Sequence, residues 1–424
     1  MESYIESLAR GAYIASTKLA LMPTATKNLL LNEIADAIEA RYSEVLEANQ
    51  KDVDSAVNRA LPPALTDRLT LNASRFREMV GGMRQVARLP DPVGRILKGY
   101  TVASQLSLMK KSVPFGVVGV IYEARPNVTV DIAALCLKSG NACILRGGSE
   151  ALNTNRVLHG IMQEILKREG VDQGAITFVD STDRNDVREL LTLDRYIDVI
   201  IPRGGEALHR LCQKESTIPV IVGGFGICHA FVDESADLKR AVDVIINSKV
   251  QKPAACNALD TLLLHRSIAE EFMGYLRPLC EEKGIVLNVH GEKLESLVRT
   301  LGYKASLITH GREEDFDTEW LSLKLNVAIV DSLDEVLLHL RVHRATHSDS
   351  ILTNNLDNAR RFAANVGSAC VYVNAATRFT DGGQFGLGAE VAISTQKLHV
   401  RGPMGLEELT TYQWIGTGDY LCRA

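Results

Sequence analysis

Val117-Val118-Gly119-Val120-Ile121 is followed by a helical pattern over Asp131–Lys138, a closing Ser139-Gly140-Asn141, and then Ala142-Cys143-Ile144-Leu145. Each apolar run is short and unbroken, as expected of a strand covered on both faces of a parallel sheet. The pattern continues outward. Arg146-Gly147-Gly148-Ser149-Glu150 leads into a long helix ending at Glu169, and the next strand is Ile176–Val179. A helix over 187–191, a strand Val199–Ile201, a helix over 205–213 and a strand Val220–Val222 complete the series. Strand and helix in strict alternation predict a parallel α/β sheet.

Towards the N-terminus the texture is helical from residue 3 to about 50, with Leu29, Leu30, Ile34, Ile38, Val45 and Leu46 at helical spacing. Pro62-Pro63 interrupts the pattern, Thr66 is read as the cap of a helix carrying Leu69, Leu71 and Phe76, and Met79–Leu89 is read as a further helix. Ile96–Val113 reads as a two-stranded ribbon. Towards the C-terminus the alternation restarts. Strands are expected at Thr261–His265, Val286–Val289, Leu325–Val330, Ser350–Thr353 and Cys370–Asn374, with helices over 268–279, 334–343 and 356–366. Two α/β domains are therefore expected, joined near residue 250. The tail after Ser394 reads as extended, with few buried neighbours of its own.

The composition narrows the function classes. The chain has 424 residues, 46% of them apolar and 23% charged, with a net charge of -5. Without a basic surplus, nucleic acid is not the expected partner. No apolar run approaches the roughly 18 residues of a membrane span. The opening Met1-Glu2-Ser3-Tyr4 lacks the charged-then-apolar pattern of a secretory signal. The eight cysteines are scattered without a Cys-x-x-Cys pair, which argues against zinc-ribbon and thioredoxin-like sites and for a cytoplasmic protein with reduced thiols.

The stretch with most chemical promise is Lys249-Val250-Gln251-Lys252-Pro253-Ala254-Ala255-Cys256-Asn257-Ala258-Leu259-Asp260-Thr261. Small residues around Cys256 leave its sulfur approachable, and Lys249 and Lys252 are expected to favour the thiolate, the reactive form. On its own, the segment also fits a buried structural cysteine. Asn127 after Pro126 fits a turn residue. Arg146-Gly147-Gly148 and Pro202-Arg203-Gly204-Gly205 fit plain strand–helix turns as well as phosphate cradles. Arg125 and Arg378 fit anion clamps or surface ion pairs. His343 and His347 have the i, i+4 spacing of a metal pair but lack a third ligand or a His-Glu-x-x-His pattern, so no metal is expected.

Several stretches together narrow these choices. They are Val117–Asn127 with its Glu-Ala-Arg-Pro-Asn, Lys138–Ala151 with its Arg-Gly-Gly-Ser-Glu-Ala, Asp198–Gly205, the Cys256 segment, His347–Ile351, Val373–Phe379 and Phe385–Glu390. Over nearly the whole chain they resemble the glutamate-5-semialdehyde dehydrogenases, or γ-glutamyl phosphate reductases, of the aldehyde dehydrogenase superfamily. The resemblance implies an aldehyde-dehydrogenase-like α/β fold, with a cofactor domain (1–95 and 114–248), a catalytic domain (249–393) and oligomerisation arms (96–113 and 394–424).

The implied reaction is reduction of L-glutamyl 5-phosphate by NADPH to glutamate 5-semialdehyde, with release of phosphate. By this resemblance Cys256 is the nucleophile and Asn127 the oxyanion donor. Arg146, Gly147, Gly148, Ser149, Gly204 and Gly205 serve NADPH or NADP⁺, and Arg125, His347, Ser348 and Arg378 serve the substrate. The usual Gly-x-Gly-x-x-Gly is missing, as the family leads one to expect. The water-activating Glu of hydrolytic relatives is replaced in Ile221-Val222-Gly223-Gly224. A homo-oligomer of at least two subunits is implied, and a glutamate kinase is the pathway partner to consider. Two other readings stand beside this one. They are a CoA-acylating or plain semialdehyde dehydrogenase of the same superfamily, and a non-catalytic binding protein on the same fold; the second is disfavoured by the presence of both Cys256 and Asn127.

Overall fold

Gly116 shows why the first sheet begins where it does. Its φ is +125°, and a Cβ there would lie 2.2 Å from Asp198 Oδ2, so only glycine fits. Asp198 uses that oxygen to accept the N–H of Val117 at 2.7 Å. Val117–Tyr122 is then buried at every position. The computed structural model describes residues 2–223 and 226–423. They fall into two compact units, Met1–Gly223 with Gly386–Ala392 and Pro403–Ala424, and Gly224–Phe385 with Ile393–Gly402.

Among the described residues, the first unit holds a four-stranded parallel sheet in the order Ile176–Phe178, Ala142–Gly147, Val117–Tyr122, Val199–Arg203. Tyr122, Gly147 and Arg203 stand side by side at the C-terminal edge. The loops that follow them therefore emerge together, at the edge where parallel sheets take ligands. The N-terminal helices Tyr4–Leu19, Thr24–Ala40 and Tyr42–Asn58 bury the expected Leu30, Ile34, Ile38 and Val45, while Leu29 is exposed. Thr66 does not cap the helix of Phe76. It lies inside Pro63–Leu69, and Asn72 caps Ala73–Arg88 by accepting the N–H groups of Ser74 and Arg75. The ribbon forms as Ile96–Thr101 and Ser107–Pro114, and the tail strand Thr410–Thr417 adds to it as a third antiparallel strand.

The second unit holds a seven-stranded parallel sheet among the described residues. Its order is Ile308–His310, Val286–His290, Lys324–Val330, Leu259–His265, Cys228–Val232, Ser348–Leu352, Cys370–Val373. One face is packed by an apolar cluster that includes Leu262, Phe272, Leu276 and Leu287, the other by Phe231, Leu263, Val336, Ile351 and Phe362. On the second face one row of the sheet is polar. Asn288, Asn326, Thr261, His229 and Asp349 sit in register across five strands. Asn288 Nδ2 donates to Asn326 Oδ1 at 2.9 Å, and His229 Nδ1 meets Asp349 Oδ1 at 3.0 Å. Slipping any of these strands by one residue would strand buried polar groups among apolar ones, so the row enforces the register.

Two features differ from the sequence reading. Val220–Val222 is not a strand; Val220 makes a single bridge to Ile200. The strand Cys228–Val232 and the helix Leu238–Val250, which the sequence reading passed over, both belong to the second unit. The division accordingly falls after Gly223, where the sequence reading placed it near residue 250. The cause is that Cys228–Val232 is bonded to Leu259–His265 on one side and to Ser348–Leu352 on the other.

Candidate active site

In the second unit the strands Leu259–His265, Cys228–Val232 and Ser348–Leu352 all start at one edge, and the loop carrying Cys256 runs into that edge. Of the eight cysteines, six are buried, Cys422 is exposed and Cys256 alone is half-buried. Burial disfavours a thiolate. It pushes Cys212 up to about 11 and Cys280 up to about 12, and it raises Cys228 well above the usual thiol range. Cys256 is thus the one thiol both approachable and held in a structured loop.

That loop is fastened along its length. Ala255 N–H donates to Lys252 O and Ala258 N–H to Ala255 O. The Cys228 thiol donates to the carbonyl of Cys256 at 3.4 Å. Asn257 Nδ2 donates to Thr380 O at 2.7 Å, and Thr377 Oγ1 donates to Asn257 O at 2.7 Å. Behind these groups lies a buried chain, in which His347 Nδ1 meets Ser348 Oγ at 2.8 Å, Ser348 Oγ meets Thr380 Oγ1 at 2.6 Å, and Thr380 Oγ1 meets Tyr372 OH at 2.7 Å. His347 Nδ1 is also 3.8 Å from Cys228 Sγ. His347 and Ser348 are fully buried. They are layered with Cys228 and Thr380, two residues that themselves bond the cysteine loop. His343 turns elsewhere, to Asp317 at 3.1 Å and Glu313 at 3.4 Å. The i, i+4 spacing does not pair it with His347, because the helix ends at Val342.

Lys249 plays a different part from the one its sequence position suggests. It is fully buried; its Nζ donates to Leu259 O at 2.7 Å and lies 3.8 Å from Asp260 Oδ1. Asp260 also accepts the N–H groups of Cys228 at 3.3 Å and Trp320 at 3.1 Å. Burial lowers the Lys249 pKa and raises that of Asp260, and each charge opposes the shift of the other. Lys249 is therefore a clamp across the two ends of the cysteine loop, and its charge is largely countered by Asp260. Next to the loop, Arg378 Nε donates to Gln251 Oε1 at 2.8 Å. Arg378 also lines a cavity of about 310 Å³ with Asn247, Gln251, Phe379, Asp381 and Gln384.

In the first unit, the sheet edge brings together Arg125, Asn127, Arg146–Ser149 and Gly204–Gly205. Arg125 is the N-cap of Pro126–Lys138. This helix starts five residues earlier than the expected Asp131, because Pro126 suits the first helical position. Asn127 is thus a first-turn helix residue rather than a turn asparagine. Its Nδ2 donates to Asp131 Oδ2 at 2.9 Å. Burial pushes the Asp131 carboxyl up to about 6, against the pull of Asn127 and Arg203. That rise from 3.8 corresponds to ~3 kcal/mol against the charged form. An i, i+4 pair returns only ~0.2–0.5 kcal/mol of helix stability, so helix stability alone does not account for Asp131.

The glycines here answer first to their neighbours. A Cβ on Gly147 would meet Asn155 Nδ2 at 2.4 Å, one on Gly148 would meet Glu150 Oε2 at 2.3 Å, and one on Gly204 would meet the Glu123 carboxyl carbon at 2.6 Å. Two helix N-termini already face internal carboxylates. Asp52 accepts from Asn153 and Thr154 at the start of Leu152–Arg168, and Glu123 Oε2 accepts the N–H of Gly205 at 3.2 Å. Arg146 is only weakly engaged. Its terminal nitrogens reach the carbonyls of Gly147 at 3.2 Å and Asp183 at 3.5 Å, while its buried Nε has no partner. Ser149 is exposed beside it.

Sequence reasoning missed Asp131, Glu123, Asn257, Thr377 and Thr380. The i, i+4 spacing of Asn127 and Asp131 was legible once the helix is started at Pro126. The threonines carried no local signal, because they reach Asn257 across more than a hundred residues of chain.

Residues 2–282 match the model of the aldehyde dehydrogenase family. A γ-glutamyl phosphate reductase of Salmonella newport is 51% identical over 420 residues, covering 99% of this chain and 100% of the relative. The crystal structure of a γ-glutamyl phosphate reductase from Thermotoga maritima is 42% identical, with a TM-score of 0.94 and full coverage of both chains. An acetylating aldehyde dehydrogenase from Geobacillus thermoglucosidasius shares the fold, with a TM-score of 0.71 at 17% identity over 99% of this chain and 97% of that one.

Lys249→Ala leaves Asp260 charged and buried without its counter-ion, which is expected to cost about 3–5 kcal/mol. Lys249→Met combined with Asp260→Asn is expected to recover most of that loss. Urea unfolding of the three proteins checks this, and an unchanged midpoint for Lys249→Ala would refute the clamp.

Proposed function

The chain belongs to the aldehyde dehydrogenase family, and we propose that it reduces L-glutamyl 5-phosphate to L-glutamate 5-semialdehyde with release of phosphate, the second step of proline biosynthesis from glutamate. The observation that carries this reading is Cys256, a half-buried thiol on a loop bonded by Cys228, Thr377 and Thr380. The thiolate attacks the acyl carbon, the bond from that carbon to the phosphate oxygen breaks, and phosphate leaves with the electron pair. Covalent capture divides one difficult transfer into two easier ones. A nicotinamide, once bound, would supply a hydride to the same carbon. The carbon–sulfur bond then breaks, the aldehyde departs and the thiolate is restored.

Asn127 and the backbone N–H of Cys256 donate to the acyl oxygen as it gains charge. Losing one such donor costs about 3–4 kcal/mol of barrier. Ile221, in the place read as that of the hydrolytic glutamate, is buried and has no group to take a proton from water. The thioester therefore survives until hydride arrives. Gly224, at the end of that block, lies outside the described residues.

The residues around Arg146 fit NADPH. A half-buried guanidinium with an unpartnered Nε and weakly engaged terminal nitrogens suits a phosphate on the adenosine ribose, with Gly147, Gly148 and Ser149 alongside. Gly204 and Gly205 would line the pyrophosphate, with the Gly205 N–H that now donates to Glu123 Oε2 as a donor to it. Arg125 and Arg378 hold the anionic ends of the substrate, and His347 and Ser348 support the cysteine loop from behind. No described helix is long and apolar enough to cross a membrane. We place the enzyme in the cytoplasm, where a glutamate kinase supplies the labile acyl phosphate.

The ribbon and tail leave Ile96, Leu97, Tyr100, Tyr412 and Trp414 exposed on a three-stranded sheet. Such an edge calls for a partner, and a second copy of the chain supplies it. Light scattering is expected to give at least a dimer, and a monomer mass at micromolar concentration would contradict this.

Cys256→Ser is expected to abolish turnover while leaving nucleotide binding intact; near-normal turnover would exclude Cys256 as nucleophile. Arg146→Ala is expected to raise KM for NADPH about tenfold to a hundredfold, the equivalent of one or two charge-assisted bonds, and to leave KM for NADH unchanged. Equal effects on the two cofactors would remove Arg146 from the phosphate.

A further inference from the structure

Asn127 and Asp131 lie one turn apart in Pro126–Lys138. A primary amide has two N–H donors and one acceptor, and Asn127 commits one donor to Asp131 Oδ2 at 2.9 Å. Exchanging the ends of the amide would set Asn127 Oδ1 against a carboxyl oxygen. The bond therefore selects one of the two amide orientations and fixes the direction of the remaining N–H. Opposite Asp131 stands Gly82, where even a Cβ would be 3.9 Å from Asp131 Oδ1, so no side chain there competes for the carboxyl. Arg203, whose charge acts on Asp131, also stands 4.0 Å from Glu390.

We propose that Asp131 is a positioning residue, which holds the Asn127 amide so that its second N–H is aimed before the substrate's oxygen gains charge. This rests on the reading of Asn127 as the oxyanion donor. A donor fixed in advance spends nothing on reorientation during reaction. Asp131 touches no reacting atom and acts through Asn127 alone. Its effect must therefore fall on kcat, not on substrate KM, and must vanish when Asn127 is absent.

The test is a double-mutant cycle on the full-length enzyme, assayed as phosphate-dependent oxidation of glutamate 5-semialdehyde. Asn127→Ala is expected to lose about a hundredfold to a thousandfold in kcat, the usual cost of an oxyanion donor. Asp131→Leu, which keeps the shape but removes the acceptor, is expected to lose about ten- to a hundredfold in kcat with KM nearly unchanged. The double variant is expected to be no slower than Asn127→Ala, because coupled residues are non-additive. Asp131→Asn keeps an acceptor oxygen and is expected within about threefold of wild type. Asp131→Glu, which displaces the acceptor, is expected to be slow, and this pair decides the matter should Asp131→Leu fail to fold. A slow Asn127→Ala beside a normal Asp131→Leu would overturn the positioning alone, as would losses that multiply in the double variant or an Asp131→Asn as slow as Asp131→Glu. A normal Asn127→Ala would overturn the oxyanion reading itself, and the positioning with it.

Discussion

The ammonium of Lys249, donating to the carbonyl of Leu259, ties the end of one helix to the start of a central strand across the loop that bears Cys256. A buried lysine is tolerable only when paired, and Asp260 answers it while also receiving the N–H groups of Cys228 and Trp320. One buried carboxylate thus joins three segments around Cys256. The cost of desolvating the pair offsets much of its attraction. What remains is a loop with a defined position, and covalent catalysis depends on position.

The two units hold their chemistry-bearing groups at different kinds of edge. In the first unit, three loops follow Tyr122, Gly147 and Arg203 at the C-terminal edge of the sheet. In the second, Cys256, His347 and Ser348 lie at the edge where strands begin, before or at the first residues Leu259 and Ser348. A strand start leaves the preceding loop to be fixed by side chains, and the Ser348–Thr380–Tyr372 chain with Asn257 and Thr377 does this.

The misses of the sequence reading have physical causes. Cys228–Val232 carries a histidine at its second position that breaks an apolar run, and the burial of that histidine makes sense only with Asp349 beside it. Val220–Val222 is apolar enough for a strand but forms an isolated bridge, from Val220 to Ile200, in place of a ladder. Asp131 looked like the first residue of a helix that in fact opens at Pro126. The glycines of Arg146-Gly147-Gly148 also have a packing role of their own, because a Cβ on Gly147 would press on Asn155 and one on Gly148 on Glu150.

The sequence by itself determined the α/β class, the ribbon, the family and the candidate nucleophile, because alternation, short buried runs and contiguous motifs are local and survive in one dimension. The tertiary structure alone decided which unit owns residues 226–250, what Lys249 does with its charge, and which threonines hold Asn257. These depend on partners brought together by strand pairing and helix placement, and a buried charge has no meaning until the groups that surround it are known.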